Sequence, residues 1–340
     1  MTNNTDFLFT ERAIGGKTAP NLLVVHPLER NDGTPDGKPT ESAYRWYRRL
    51  AAGRWGILFV ECTTCSDDPA ERGGLPDGFL MNESNLPDFK RLVREIKEIS
   101  PETVVMIQLG SGNVGLDRQG NTNFMSLSTG AIRRTFDHMI EGGVLAAEAG
   151  FDGMDFKCCH GFLGYQLLSE NNGREDEWGG ETLRERARFV TEGVRAIRKQ
   201  VSEDFMIGSR ISESNVANLK EIVELFDGEL GMEFLNVSHF PGPVNPEAIS
   251  ILTQIVKMTV ADAAVMQAGF TATLANNGNP AEKMREALEL PTAPDFVGFG
   301  RQAIADPLAP QKLKNGQVEE VDWCRRCNSC FDLKHCKFYG

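Results

Sequence analysis

Long apolar segments are missing from this sequence of 340 residues. No stretch approaches the roughly 20 apolar residues that a membrane-spanning helix needs, so we expect no membrane span. Basic residues are outnumbered as well: 36 Lys and Arg against 48 Asp and Glu give a formal net charge of −12. A chain this acidic is a poor partner for nucleic acid or an anionic membrane. Residues 1–16 lack the basic and then apolar pattern of a secretory signal, which predicts a cytoplasmic protein.

Low-complexity linkers are also absent, and up to Gln317 short β-rich segments alternate with helical patterns. Segments such as LLVV and ILFV are apolar throughout, which is typical of parallel strands buried on both faces. The predicted strands are Leu22–Val25, Gly56–Glu61, Val104–Leu109, Gly153–Phe156, Met206–Ile211, Glu233–Ser238, Ala264–Gly269 and Phe296–Gly300. The predicted helices are Ser42–Ala52, Asn85–Ile99, Ala131–Ala149, Leu183–Lys199, Asn215–Phe226, Pro246–Val260, Pro280–Leu288 and Gln302–Asn315. Eight such units predict an α/β fold, a (β/α)8 TIM barrel over residues 1–316, followed by a Cys-rich tail at 317–340.

Polar residues are concentrated at the carboxyl ends of the predicted strands, where barrels of this type carry their sites. The fourth strand has the densest group, because Lys157, Cys158, Cys159 and His160 follow Phe156 directly. Buried ionisable groups reduce stability unless a site uses them. We therefore predict that the site is built around residues 157–160.

Glycines at the last two strand ends favour a phosphate site. Gly269 and Gly300 allow close approach of the backbone, and Arg301 adds a cationic donor. Ordinary turns with a surface arginine are the alternative. A cofactor held there would extend its ring towards the remaining strand ends, near Pro27, Cys62, Gln108 and Arg210. Gln108 can donate and accept hydrogen bonds and Arg210 can stabilise an anion, which suits the pyrimidine edge of a reduced flavin.

One run of residues after the fourth strand carries a family resemblance. It reads Asn172-x-Arg174-x-Asp176-x-Trp178-Gly179-Gly180, followed by Arg186-x-Arg188-Phe189. This run resembles the N-x-R-x-D-x-(Tyr/Trp)-G-G…R-x-R-F run of the old yellow enzyme family, with one extra residue after the glycine pair and Glu185 in place of the usual Asn. The resemblance implies a barrel with non-covalent FMN and hydride transfer. The residues that it assigns to the cofactor are Pro27, Leu28, Cys62, Gln108, Arg210, Gly269, Phe270, Gly300 and Arg301.

Four of the eight cysteines lie in the tail, at Cys324, Cys327, Cys330 and Cys336. This spacing favours a [4Fe–4S] cluster over a zinc site, which more often pairs two separated C-x2-C units, and over unligated thiols. The tail resembles that of the iron–sulfur branch that includes 2,4-dienoyl-CoA reductase and trimethylamine dehydrogenase. The last spacer is shorter than in that branch, so His335 is an alternative fourth ligand.

The source of electrons is a second expectation from the resemblance. Members of the iron–sulfur branch carry nucleotide-binding domains after the barrel, whereas this sequence ends at Gly340. We expect electrons to come from an electron-transfer protein or flavoprotein subunit through the cluster. Direct reduction by NAD(P)H is the alternative. We also expect a homo-oligomer that acts on a small-molecule substrate.

The resemblance places the catalytic residues after the fourth strand. Lys157 and His160 occupy the positions of the two side chains that hold the substrate carbonyl in the family, and Phe162 replaces a Tyr that often supplies a proton. An inward Lys157 would favour a carboxylate-bearing substrate, whereas a Lys157 that reaches out to solvent would not. For alkene reduction, His239 is the first candidate proton donor and Tyr165 the second.

Three functions follow from these features. The first is reduction of an activated C=C bond by hydride from FMN, as in an ene or enoate reductase. The second is oxidation of a methylated amine by an amine dehydrogenase or N-demethylase, which needs no proton donor at Phe162. The third is a non-catalytic subunit that relays electrons between flavin and cluster.

Overall fold

The computed structural model describes residues 5–66, 68, 77–111, 124–240, 245–269, 280–330 and 335–338. Eight parallel strands close into a barrel in which each strand pairs with the next along the chain and the last pairs with the first. They are β3 to β10, at Leu23–Val25, Ile57–Thr63, Val104–Leu109, Gly153–Phe156, Met206–Ile211, Phe234–Val237, Ala264–Gln267 and Phe296–Phe299. The predicted barrel is confirmed, and every predicted strand lies within two residues of an observed one.

A short hairpin precedes the barrel and was not predicted. Its strands, β1 at Arg12–Ile14 and β2 at Lys17–Ala19, pair antiparallel across Gly15, whose φ of +51° suits glycine. Ile14 and Ala19 belong to the same apolar cluster as the side chains inside the barrel. The hairpin therefore contributes to the packed interior. Three-residue strands are too short to show an alternating pattern in the sequence.

Helices surround the barrel and bury their apolar faces against its outer surface. Within the described residues they are α1 to α11, at Glu41–Ala52, Leu86–Ile99, Thr129–Glu148, Leu163–Leu168, Leu183–Arg186, Arg188–Arg198, Val216–Val223, Pro246–Thr259, Pro280–Leu288, Arg301–Ala305 and Ala309–Lys314. The predicted helix over 183–199 is divided at Ala187. The one over 302–315 is divided near Asp306, which accepts the N–H of Leu308 just before the chain turns, and Pro307 cannot supply an N–H to continue the helix. None of the helices in the described segments is long and apolar enough to cross a membrane.

The run that carries the family resemblance forms a compact loop beside the barrel. Asn172 Nδ2 donates to the carbonyl oxygens of Leu167 and Trp178, each at 2.8 Å. Trp178 is fully buried, and its ring centroid lies 5.5 Å from that of Phe136. A Cβ on Gly179 would lie 1.9 Å from a backbone oxygen, so only glycine fits there. The motif therefore holds the loop together.

The Cys-rich tail is attached to the end of the last barrel strand. Gln302 Nε2 donates to the carbonyl oxygen of Asp322 at 3.0 Å, and Gln302 Oε1 accepts the backbone N–H of Cys324 at 2.8 Å. Gln302 is 1% exposed, so these bonds are shielded from water. The boundary at residue 316 stays a prediction.

Candidate active site

A cavity of about 690 Å³ opens at the carboxyl ends of the barrel strands. Most of the residues that the sequence assigned to a site line this one cavity. They are Pro27, Leu28, Gln108, Lys157, His160, Arg210, His239, Gly269, Gly300 and Arg301, together with Cys324 from the tail. The fold thus brings together residues that are distant in sequence, as expected for strand ends of a closed barrel.

Three other predicted residues are placed differently. Cys62 is 1% exposed, and burial raises the pKa of its thiol to about 12, so it is protonated and packed beside Lys157. Tyr165 is not among the described residues that line the cavity; its ring meets that of Phe240 edge to face at 5.6 Å. Phe270 lies outside the described residues.

Asp155 binds two of the residues that line the cavity and was missed by the sequence analysis. Its Oδ2 accepts a hydrogen bond from Gln108 Nε2, and its Oδ1 accepts the backbone N–H of Arg210, both at 2.8 Å. The carboxylate thus orients the side chain of Gln108 and fixes the backbone of Arg210, the two residues predicted to hold a flavin. A carboxyl group in the middle of the otherwise apolar strand Gly153–Phe156 was the signal that could have revealed it.

Replacing Asp155 with asparagine should change how stability depends on pH. Burial raises the pKa of Asp155 from 3.8 to about 6, in opposition to its hydrogen bonds with Arg210 and Gln108. Between these pH values the folded state binds more protons than the unfolded state, so wild-type stability falls as the pH rises from about 4 to about 6. The free energy of unfolding of the variant should not show this decrease, which in the wild type amounts to at most about 3 kcal/mol.

Urea denaturation of both proteins at several pH values between about 4 and 7 measures the difference. Glu61 is buried, which raises its pKa to about 7. It is present in both proteins and gives a slope of the same sign, so only the difference between the two curves reports on Asp155. Parallel curves would contradict the prediction.

Lys157 points into the protein and forms an ion pair. Its Nζ lies 2.6 Å from Glu29 Oε1 and 3.3 Å from the centroid of the Phe162 ring. Burial alone would raise the pKa of Glu29, but Lys157 outweighs this effect and holds that pKa below its ordinary value. The alternative in which Lys157 reaches out to solvent does not occur. Its charge is already matched by Glu29, a residue to which the sequence analysis gave no role.

His160 lies in the turn that follows the fourth barrel strand, with φ of +55°. Its backbone N–H donates to Ser212 Oγ at 3.1 Å. Burial lowers the pKa of the imidazole well below its ordinary value, and Arg210 and Lys157 lower it further. The ring is therefore neutral near pH 7 and can donate one N–H to a substrate.

Two of the side chains that line the cavity each contain a buried polar atom without a hydrogen-bond partner in the described part of the chain. They are His239, through Nδ1, and Arg210, through Nε. Buried donors and acceptors are rarely left unsatisfied, so these two side chains are candidates to bind a molecule in the cavity. Arg210 and Gln108 suit the pyrimidine edge of FMN, and Gly269 with Gly300 allows close approach of its phosphate group.

His26 lines the cavity, but both of its ring nitrogens are engaged within the protein. Its Nδ1 is 2.9 Å from Asn236 Nδ2, and its Nε2 is 3.3 Å from the carbonyl oxygen of Gln267. Asn236 can only donate through Nδ2, so Nδ1 accepts and Nε2 carries the proton. Burial, with the charge of Arg210, lowers the pKa of His26 to about 3 and keeps it neutral.

The four tail cysteines are close enough to influence one another. Burial raises the pKa of Cys324, and the thiols of Cys336 and Cys327 act in the same direction. Among the described residues, no three His, Cys, Asp or Glu side chains are arranged to hold a metal ion. Four thiols in one short segment are nevertheless the donors that iron–sulfur clusters use. To bind a cluster, their side chains would turn towards a common centre.

Arg301 connects the phosphate region with the tail, because its guanidinium donates to the side chain of Asn328. Arg326 and Asn328 both adopt left-handed backbone conformations, with φ of +55° and +61°. The same segment lies against the cavity, which Cys324, Arg326 and Asn328 line. The tail is therefore part of the cavity wall.

Comparison with known proteins identifies the family. An NADH oxidase from Thermoanaerobacter brockii is 26% identical over 356 residues, 94% of this chain and 52% of that protein. Among solved structures, 2-naphthoyl-CoA reductase with 2-naphthoyl-CoA has a TM-score of 0.80 at 19% identity, covering 96% of this chain and 55% of its own. Histamine dehydrogenase from Rhizobium sp. 4-9 has a TM-score of 0.75 at 22% identity, covering 97% and 51%.

The chain thus spans about half the length of these relatives, and the two structures establish a shared fold. The match to the NADH:flavin oxidoreductase / NADH oxidase family extends over residues 7–320. It includes the barrel strands and every cavity residue up to Arg301. The chain belongs to this family of FMN-dependent oxidoreductases, which includes the old yellow enzymes.

Proposed function

We propose that this chain reduces an activated C=C bond in a small molecule. The observation that carries the proposal is that His160 and His239 line the same cavity as Gln108 and Arg210. Bound FMN would supply the hydride, held at its pyrimidine edge by Gln108 and Arg210. An alkene conjugated to a carbonyl group could then lie between the flavin position and the two imidazoles.

The two histidines take different parts in this reaction. His160 is neutral and donates its N–H to the carbonyl oxygen of the substrate, on which negative charge develops. His239 delivers a proton to the carbon next to that carbonyl, because it lines the same cavity and imidazole is a common proton donor in enzymes. Tyr165 does not line the cavity there, so His239 is the donor that we favour.

The charge of the cavity favours this direction over amine oxidation. Its described lining carries five cationic side chains against the single carboxylate of Glu29; the cations are Lys157, Arg210, Arg301, Arg325 and Arg326. An amine is cationic near pH 7 and finds only the carboxylate of Glu29, which is already paired with Lys157, whereas an anionic cofactor and a developing enolate are stabilised by the cations.

The tail extends the proposal to the source of electrons. A [4Fe–4S] cluster held by Cys324, Cys327, Cys330 and Cys336, or with His335 as the fourth ligand, would supply one-electron exchange with a partner protein. NAD(P)H is the alternative donor. Iron, sulfide and flavin quantitation after anaerobic purification tests the cofactors, and a flavoprotein without iron would remove the cluster from the proposal.

An anaerobic titration tests the direction of the reaction. The reduced flavin should be reoxidised by cyclohex-2-en-1-one or methyl cinnamate, while trimethylamine and histamine should leave the oxidised flavin unchanged. Bleaching by an amine would instead support an amine dehydrogenase. A flavin that responds to neither substrate class would support an electron-relay subunit.

A further inference from the structure

The ion pair of Lys157 and Glu29 lies in the wall of the cavity. The two residues are 128 positions apart and come from the ends of the first and fourth barrel strands. Removing two opposite charges from water is unfavourable unless their geometry is good, and replacing such a pair by apolar residues often costs nothing. A pair in which the lysine is fully buried and the carboxylate faces a cavity therefore calls for a functional explanation.

The carboxylate is the accessible member of this pair. The side chain of Lys157 is 1% exposed, whereas that of Glu29 is 28% exposed. The face of the Phe162 ring covers another side of the ammonium, with its centroid 3.3 Å from Nζ, and the thiol of Cys62 lies close by. A molecule in the cavity therefore meets Glu29 before it can reach Lys157.

We propose that Glu29 occupies the carboxylate position next to Lys157 and so makes the site select neutral acceptors over substrates with a free carboxylate. A substrate carboxylate would have to displace Glu29 or lie against it, and like charges at close range disfavour binding. Unsaturated ketones, aldehydes and esters avoid this repulsion. The sequence led us to expect a carboxylate-bearing substrate, and this proposal replaces that expectation. The choice of unsaturated carbonyl compounds as substrates rests on the proposed alkene reduction.

Binding of a small carboxylate tests the pair without any turnover. Glu29→Ala leaves an empty carboxylate position beside Lys157. We expect the thermal midpoint of the full-length variant to fall by several degrees and to recover, with saturation, in sodium acetate compared with sodium chloride at equal ionic strength. Wild-type protein should show only the gradual, non-saturating difference between the two salts that general ion effects produce. The double variant Glu29→Ala/Lys157→Met, which has no charge to match, should show no response specific to acetate.

Substrate preference provides the second measurement. The ratio of kcat/KM for cinnamate to that for methyl cinnamate should rise at least about tenfold in Glu29→Ala, which corresponds to about 1.4 kcal/mol. Glu29→Gln keeps the size of the side chain and removes its charge. It should raise the ratio in the same direction, and it serves if Glu29→Ala does not fold.

The two measurements separate this inference from the proposed function. Saturable stabilisation of the wild type by acetate would overturn the inference while alkene reduction stands. A kcat/KM ratio that is unchanged in both Glu29 variants would do the same. If no alkene is reduced, the proposed function fails, and the acetate response of Glu29→Ala alone decides whether Glu29 fills the site of Lys157. No response to acetate in a folded Glu29→Ala protein would reject it.

Discussion

Gly298→Ala should lower the free energy of unfolding by more than about 3 kcal/mol, a large fraction of the stability of an ordinary domain. An added Cβ would lie 1.4 Å from His26 Nε2, far closer than two non-bonded atoms can approach. His26 has little freedom to move, because it is 3% exposed and bound through both ring nitrogens. The clash would therefore displace the strand Phe296–Phe299 or break the bonds of His26 to Asn236 and Gln267.

Two further variants identify the cause of this loss. At Gly228 an added Cβ would meet nothing within 4 Å, so Gly228→Ala should unfold at nearly the wild-type urea concentration. His26→Ala/Gly298→Ala removes the ring that the Cβ would strike and should be more stable than Gly298→Ala alone. A Gly298→Ala protein with the wild-type midpoint would show that the His26 ring is not fixed as described.

The barrel could be predicted because its strands are local patterns. Apolar segments such as Val104–Leu109 are buried throughout. Eight alternating strands and helices are typical of a closed (β/α)8 barrel, which is the architecture observed. In a closed barrel of parallel strands, the polar residues at the carboxyl ends of the strands must lie around the same opening. Gln108, Arg210 and Gly300 were assigned to that opening from the sequence, and the structure places all three around one cavity.

The most recognisable sequence motif proved less informative about chemistry. Asn172, Trp178 and Gly179 identify the family, yet they stabilise a loop through backbone hydrogen bonds and close packing. The identity of such residues is restricted by the shape of this loop, which members of the family share. They therefore predict the fold, while the substrate depends on other positions.

The partners of the site residues could not be predicted from the sequence. Lys157 can be assigned to a strand end, but whether its ammonium finds a carboxylate depends on Glu29, which approaches from the first strand. Asp155 likewise acts through Gln108 on the neighbouring strand and Arg210 on the next. These contacts depend on side-chain direction and register across the barrel, which a pattern along one segment does not contain.

His160→Ala should reduce kcat for alkene reduction by about 10²–10³-fold, the usual cost of losing one donor to a developing oxyanion. Because the imidazole is already neutral at pH 7, its contribution should not change as the pH rises from about 6.5 to about 8.5. His160→Asn should retain more activity than His160→Ala, since asparagine supplies an N–H donor and tolerates the left-handed backbone at this position.

A matched control shows whether the lower kcat of His160→Ala reflects a lost catalytic contact or a general effect of removing a histidine. His138 lies on the outer helix Thr129–Glu148, away from the described lining of the cavity, and His138→Ala should leave kcat near the wild-type value. The flavin content of His160→Ala should also match the wild type, because Gln108 and Arg210 remain to hold the cofactor. A loss of flavin would assign His160 to cofactor binding, whereas full flavin occupancy with reduced kcat and unchanged KM would place its N–H on the substrate in the transition state.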